Sequence, residues 1–395
     1  MRILCFTPWF PAKPGMQSGN FILDSVSSLE VEGHAVKVLV STAWQPWWAA
    51  LLHEDFARLP LQAQSHDPAL GVEAISYLAI PRNHCRTLAR WLFNHKVQPA
   101  LRQAIGTFKP DVLVAHTEQA GEVAVTVAKA YGLPVVVVLH GINPSPRLNT
   151  CAEHARMREA LCAASRVVLV GEPLQQHYAA IAGRSDHFRI VHNGFRSPAS
   201  THIKTAAPWP ACLRFISVSN LHEGKGIDLT LYALAKLKQS GHVNWHYTIV
   251  GSGGERTKLQ VLATELGITD QVLFVGAVDH DKVYEWLVQA DVFVLPSWRE
   301  AFGVAWLEAM ACGLLAIGVR KQGPAAFIRN GDTGLLVSPQ DVDDLTDCLR
   351  RVLDDPQSMQ VIALRGQALV QREFTWHAHA EKFAKVCAEA VGTTR

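Results

Sequence analysis

Short, almost unbroken apolar runs recur along the whole chain. They are Ile3–Phe6, Val36–Val40, Val112–Ala115, Val135–Leu139, Val167–Val170, Ile190–His192, Phe215–Val218, Tyr247–Val250, Val272–Val275, Val292–Leu295 and Leu315–Val319. Runs this short and this apolar read as strands covered on both faces. Between them the apolar spacing is helical. In the first such segment Ile22, Val26 and Leu29 share a face, Asn20 is the expected cap and Gly33 the expected stop. Strand–helix–strand alternation demands a parallel sheet with right-handed crossovers. At 395 residues the chain has room for two such domains. Ser197–Cys212 breaks the rhythm with Pro, Ser, Thr and Ala and no usable period, and reads as the connection. The expected class is therefore α/β: residues 1–196 and 213–375 each fold as a Rossmann-like, doubly wound domain, joined by 197–212 and followed by a last helix in 376–395. Ligands of such sheets bind beyond the carboxyl ends of the strands, and two facing domains are expected to form a cleft.

Composition excludes several classes. With 49% hydrophobic and 18% charged residues, disorder is not the main state. A net charge of +2 is too weak for a nucleic-acid binder, although the basic excess lies in the amino-terminal half. The eight cysteines contain no CxxC pair and mostly sit among apolar neighbours. The apolar run after Arg2 ends at Thr7-Pro8, short for a signal peptide, and no stretch reaches about 18 apolar residues. The expected compartment is a reducing cytoplasm.

Residues 296–337 are the most informative. A strand end leads past Glu300 to a turn at Phe302-Gly303, and a helix starts near Val304, contains Glu308 and stops at Gly313. Turn N–H groups and a helix amino terminus form an anion cradle. A carboxylate on each side of it suits hydrogen bonds to sugar hydroxyls. A capped helix with solvated carboxylates is the plain alternative for two glutamates taken by themselves.

This stretch resembles the signature of retaining glycosyltransferases of family four, which have the GT-B fold. Further pieces resemble the family in order: Lys13–Gly19 with Glu32–Val36, Val137–Gly141, His192-Asn193-Gly194, Ser219–Asp228, Ile249–Gly254 and Phe274–Gly276. The resemblance implies a GT-B enzyme that moves a hexosyl unit, with retention, from a nucleotide diphosphate sugar to a glycan or lipid-linked acceptor, in polysaccharide or glycolipid biosynthesis. It places the acceptor on residues 1–196, the donor on 213–375, and the last helix back on the first domain. It implies that Glu300 meets sugar hydroxyls, Glu308 the ribose, and the N–H groups of Phe302, Gly303 and Val304 the diphosphate. Lys225 would neutralise the leaving diphosphate, and His140 would touch the donor sugar. Gly19, Asn220, Gly251, Gly276 and Val278 complete the implied donor site. Catalytic roles fall on His140, Glu300 and Lys225. No cofactor and no metal are implied, and no DxD lies between strand ends.

Departures stand beside these matches. Ser219-Asn220-Leu221 lacks the arginine that often accompanies the loop lysine, Asn193–Arg196 lacks an aspartate, and Gln322–Ala326 replaces a second glycine motif. Two surface features lie outside the motifs: Trp44, Trp47 and Trp48, and a segment with Arg82, Arg86, Arg90, Lys96 and Arg102. Basic and aromatic residues together suit an anionic membrane, so peripheral attachment to its inner face is an expectation. The rival readings are a nucleotide-sugar 2-epimerase of the same fold, a non-catalytic sugar-nucleotide binder, and a dinucleotide oxidoreductase. The last is opposed by Gly251–Arg256, where position 256 is not glycine.

Overall fold

The computed structural model describes residues 1–11, 19–51, 71–80, 85–142, 151–204 and 208–392. Two compact units result. The first comprises Met1–Val170, Leu174–His192 and His379–Arg395, and the second Gly171–Pro173 and Asn193–Ala378.

In the first unit the elements run β1 (Arg2–Thr7), α1 (Asn20–Val31), β2 (Ala35–Trp44), β3 (Val72–Leu78), α2 (Arg86–Phe108), β4 (Val112–His116), α3 (Glu118–Ala128), β5 (Val135–Leu139), α4 (Cys151–Ala163), β6 (Arg166–Leu169), α5 (Pro173–Ala182) and β7 (Phe188–Ile190). The strands form one parallel sheet in the order β3-β2-β1-β4-β5-β6-β7. Its central strands are buried along their whole length, which is why they read as continuous apolar runs. β3 escapes that signature. It is an edge strand whose Glu73 and Leu78 are exposed, so polar and apolar residues mix along it.

The second unit continues with β8 (Leu213–Val218), α6 (Ile227–Gln239), β9 (Trp245–Val250), α7 (Arg256–Glu265), β10 (Val272–Gly276), α8 (His280–Leu287), β11 (Val292–Val294), α9 (Val304–Ala311), β12 (Leu315–Val319), β13 (Leu335–Val337), α10 (Val342–Asp354), α11 (Pro356–Glu373) and the first residues of α12 (Trp376–Gly392). Its parallel sheet has the order β10-β9-β8-β11-β12-β13. The three-residue edge strand β13 is too short to carry a sequence pattern.

One local reading changes. Asn20 does not cap α1. Gly19 is the N-cap, at φ 85°, and no side chain caps the helix. A Cβ on Gly19 would sit 2.8 Å from the backbone of Phe10, so packing within this unit already requires glycine there. Within the connecting segment, Lys204 donates its backbone N–H to Cys312 O and its ammonium to Asp291 and Ala290 O. The last helix joins the first unit from His379 on, where the imidazole bonds Ser25 Oγ and His192 O, both at 2.8 Å. No helix among the described residues is long and apolar enough to cross a membrane.

Candidate active site

In each sheet the strand order reverses once, between β1 and β4 and between β8 and β11. Loops leaving the carboxyl ends of such neighbouring strands diverge and leave a crevice for a ligand. The candidate residues collect at these two places.

In the second unit the loop after β8 carries Asn220 and, in a short 3-10 turn at Glu223–Lys225, the lysine. The loop after β11 carries Glu300. Two hydrogen bonds tie the loops together: Ser297 Oγ and Trp298 N both donate to Gly224 O, at 3.1 Å. Lys225 Nζ then reaches Glu300 Oε2 at 2.7 Å, with both side chains largely buried. Glu300 is held from its other side, since its N–H donates to Gln322 Oε1 at 3.1 Å and its carbonyl accepts from Gly323 N at 3.0 Å. Burial first, and then the Lys225 ammonium, lower the pKa of His222, so this turn carries one cation rather than two.

Gly303 is the N-cap of α9 with φ 101°. A Cβ there would lie 2.7 Å from the Trp306 ring, and that φ is unfavourable for other residues, so the sharp entry to the helix belongs to glycine. Phe302 beside it is buried against Phe327 and Phe374. Trp306 Nε1 donates to Ile317 O at 3.0 Å and fixes the helix on β12. The N–H groups at Gly303 and Val304 thus open a rigid helix amino terminus, a favourable place for an anion. Glu308, one turn further, is 6% exposed, and its Oε1 lies 2.8 Å from His280 Nε2. The strand ends around this helix are laced together: Gly251 N donates to Gly276 O at 2.8 Å and Leu221 N to Ser252 O at 2.9 Å. Val278 is half-buried on the stretch between Gly276 and His280, and Asn220 is exposed.

The first unit holds His140 and Gly19. His140 follows the last residue of β5 and packs against Phe21, one helix position beyond Asn20, with ring centroids 4.7 Å apart. Its Nε2 lies 2.9 Å from Nδ1 of His116, which ends β4. Burial, reinforced by His116 and His379, pushes the His140 pKa well below its ordinary value. Burial, with His379 second, takes His116 down to about 3. Both rings are therefore neutral at physiological pH. The loop 12–18 that precedes Gly19, and Arg82, lie outside the described residues.

His116, His280 and Ser297 were not singled out in the sequence, and Gln322 appeared there only as part of a departure from the family motif. His116 had a signal: VLVAH ends as VVVVLH does, a buried strand with a histidine at its carboxyl end. His280 had none, because its partner lies 28 residues away. Among the described residues no cluster of three or more His, Cys, Asp or Glu side chains is arranged to hold a metal ion.

Two parallel, doubly wound α/β units of this size and order are the GT-B architecture. Anabaena HepE, solved in complex with UDP, superposes with a TM-score of 0.73 at 20% identity, over 98% of this chain and 100% of that one. Sucrose-phosphate synthase of Thermosynechococcus elongatus gives 0.76 at 19%, over 100% of both. A family model described as glycosyl transferases group 1 matches residues 213–368, and one described as glycosyl transferase 4-like domain matches 18–194. The second unit thus carries a group 1 glycosyl transferase domain and the first a glycosyl transferase 4-like domain. Relatives include a glycogen synthase of Mycobacterium tuberculosis, 27% identical over 71% of this chain and 69% of its own length. Another is the amylovoran biosynthesis glycosyltransferase AmsK of Erwinia amylovora, 28% identical over 71% and 70%.

Proposed function

We propose that this glycosyltransferase moves a hexosyl unit from a nucleotide diphosphate sugar to a glycan or lipid-linked acceptor, retains the anomeric configuration, and needs no metal. The observation that carries the reading is the Lys225–Glu300 pair, set at the strand-order reversal of the second unit beside the amino terminus of α9. A fixed cation and preorganised N–H donors act where charge develops on a leaving diphosphate. Glu300 accepts hydrogen bonds from hydroxyls of the sugar, and Glu308, braced by His280, accepts one from the ribose. HepE, whose complexes hold UDP and UDP-glucose, supports a nucleotide-sugar donor. In the step itself the acceptor oxygen bonds to the anomeric carbon on the face that the diphosphate leaves. The carbon–oxygen bond to the diphosphate breaks, and the acceptor proton passes to a phosphate oxygen. The protein supplies orientation and electrostatics.

The acceptor belongs to the first unit in this reading, presented at an anionic membrane surface. Trp47, Trp48 and Leu51 are 71%, 51% and 79% exposed, which suits interfacial contact. The basic helix contributes less than its composition implies: Arg90 is paired with Glu122, and Arg86 lies 3.9 Å from Glu153.

Purified protein screened against a panel of nucleotide sugars, UDP-glucose first, tests the reading. The correct donor raises the Tm, because it binds the folded state. It also turns over in the presence of EDTA, and the product keeps the donor's anomeric configuration. Release of the free sugar epimerised at C2, an inverted product, or complete inhibition by EDTA with rescue by Mg²⁺ would each overturn the corresponding part.

A further inference from the structure

His140 has two ring nitrogens, and their surroundings differ. Nε2 meets His116 Nδ1 at 2.9 Å. Nδ1 is buried and has no hydrogen-bond partner among the described residues. A buried polar atom left without a partner is costly, so its persistence points to a ligand that completes it. We infer that His116 is a positioning residue: it fixes the ring of His140 through Nε2 and thereby commits Nδ1 to the reactants. The inference rests on the reading of His140 as a residue of the active site.

The geometry around His116 is built to hold that ring still. His116 is 4% exposed at the end of a fully buried strand. The two imidazoles lie nearly parallel, at 18° and 5.2 Å. Phe21 and Trp9 pack on the other sides of His140, at 4.7 and 6.2 Å. The residue after His116 is strained: Thr117 has φ 96° and ψ 157°, a region that glycine dominates. Such strain persists only where the surroundings over-determine it. Thr117 N donates to Val138 O at 3.0 Å, and its hydroxyl caps α3 by accepting from Ala120 N at 3.3 Å. The chain is thus locked immediately after His116, and the imidazole with it.

One proton is shared in the His116–His140 contact. If Nδ1–H of His116 donates, His140 Nδ1 carries its own proton and presents a donor. If Nε2–H of His140 donates, Nδ1 presents an acceptor. The partner therefore sets which group the substrate meets, while both rings stay neutral.

The test uses full-length protein in two arms. In the first, protein labelled with ¹⁵N-histidine is compared as wild type, His116→Phe and His116→Asn, with His140→Gln providing the assignment. The expected result is one neutral His140 tautomer in the wild type and in His116→Asn, whose carboxamide can replace Nδ1. His116→Phe should give an averaged mixture. An unchanged His140 tautomer in folded His116→Phe overturns the inference. In the second arm the donor is UDP-glucose or whichever panel member turns over. His116→Phe should lower kcat on the order of 10- to 100-fold with little change in donor KM, as misplacement of a reacting group does. His116→Asn should recover most of that loss. In a His140→Ala background the same change should cost less than about 2-fold, because the two residues act as one unit. Equal losses in both backgrounds, or no loss in either, overturn the inference. Full turnover in His140→Ala instead removes the underlying reading of His140, so the two failures are told apart.

Discussion

Lys225 Nζ sits 2.7 Å from Glu300 Oε2, and these two residues come from loops on opposite sides of the sheet's strand-order reversal. The carboxylate and an incoming diphosphate therefore compete for one ammonium. Lys225→Ala should weaken nucleoside diphosphate binding by about 1.5–3 kcal/mol, the worth of one charged hydrogen bond. Glu300→Gln should behave oppositely in the ground state. It frees the lysine, so nucleoside diphosphate should bind as tightly as to wild type or more tightly, while turnover falls. Isothermal titration with UDP, GDP and ADP, set beside kcat for the active donor, separates the two effects. Weaker nucleotide binding in Glu300→Gln would show that the pair does not act as competition.

Glu308 is buried in α9 and bonded to His280 at 2.8 Å. Ribose does not react, so bonds to it are alike in ground and transition states. Glu308→Gln should raise donor KM more than it lowers kcat. His280→Ala should move KM in the same direction, because it leaves the carboxylate without its brace. A fall in kcat with KM unchanged in Glu308→Gln would place that carboxylate at the reacting centre instead.

The strands that build the two reversal points were legible because burial on both faces makes them continuously apolar. The edge strands β3 and β13 were not, one for its mixed faces and the other for its length. Lys225, Glu300 and Glu308 stood out through their motif context. The partner of Glu308 did not, for a physical reason: His280 acts through a contact 28 residues away, and a single sequence holds no signal for such pairing. Segment 197–212 reads as the connection because proline and small residues dominate it. Composition says nothing of the contacts that Lys204 makes there: an ion pair with Asp291 and bonds to the carbonyls of Ala290 and Cys312.

Asp291 carries that ion pair. Its side chain is fully buried and accepts from Lys204 Nζ, from Arg214 Nε at 3.0 Å and Nη2 at 2.9 Å, and from Arg214 N at 3.0 Å. Lys204 is itself 15% exposed, so removing the carboxylate would leave a largely buried ammonium unpaired. Asp291→Ala should destabilise the protein by about 3 kcal/mol. Urea unfolding followed by tryptophan fluorescence measures this. A loss under about 1 kcal/mol would mean that water solvates Lys204 and that the segment is held by its backbone bond to Cys312.

Stability should also fall on mild acidification, and the first unit sets the window. Burial takes His116 down to about 3 and His379 to about 4, and it pushes His140 well below the ordinary value of 6.5. As pH drops below about 6.5 the unfolded chain takes up protons that these folded imidazoles refuse. Their contribution is therefore complete above pH 6.5 and is lost progressively as pH falls toward 4. Each such histidine costs about 1.4 kcal/mol per pH unit across that range. Surface carboxylates titrate mostly below pH 5, so the fall between pH 6.5 and 5 belongs to histidine. His379→Gln should make the decline of Tm across that interval shallower. Glutamine can still bond Ser25 or the His192 carbonyl, so the variant is expected to fold. Differential scanning calorimetry at half-unit steps would read the slope, and identical slopes in wild type and His379→Gln would show that this buried imidazole is not refusing a proton.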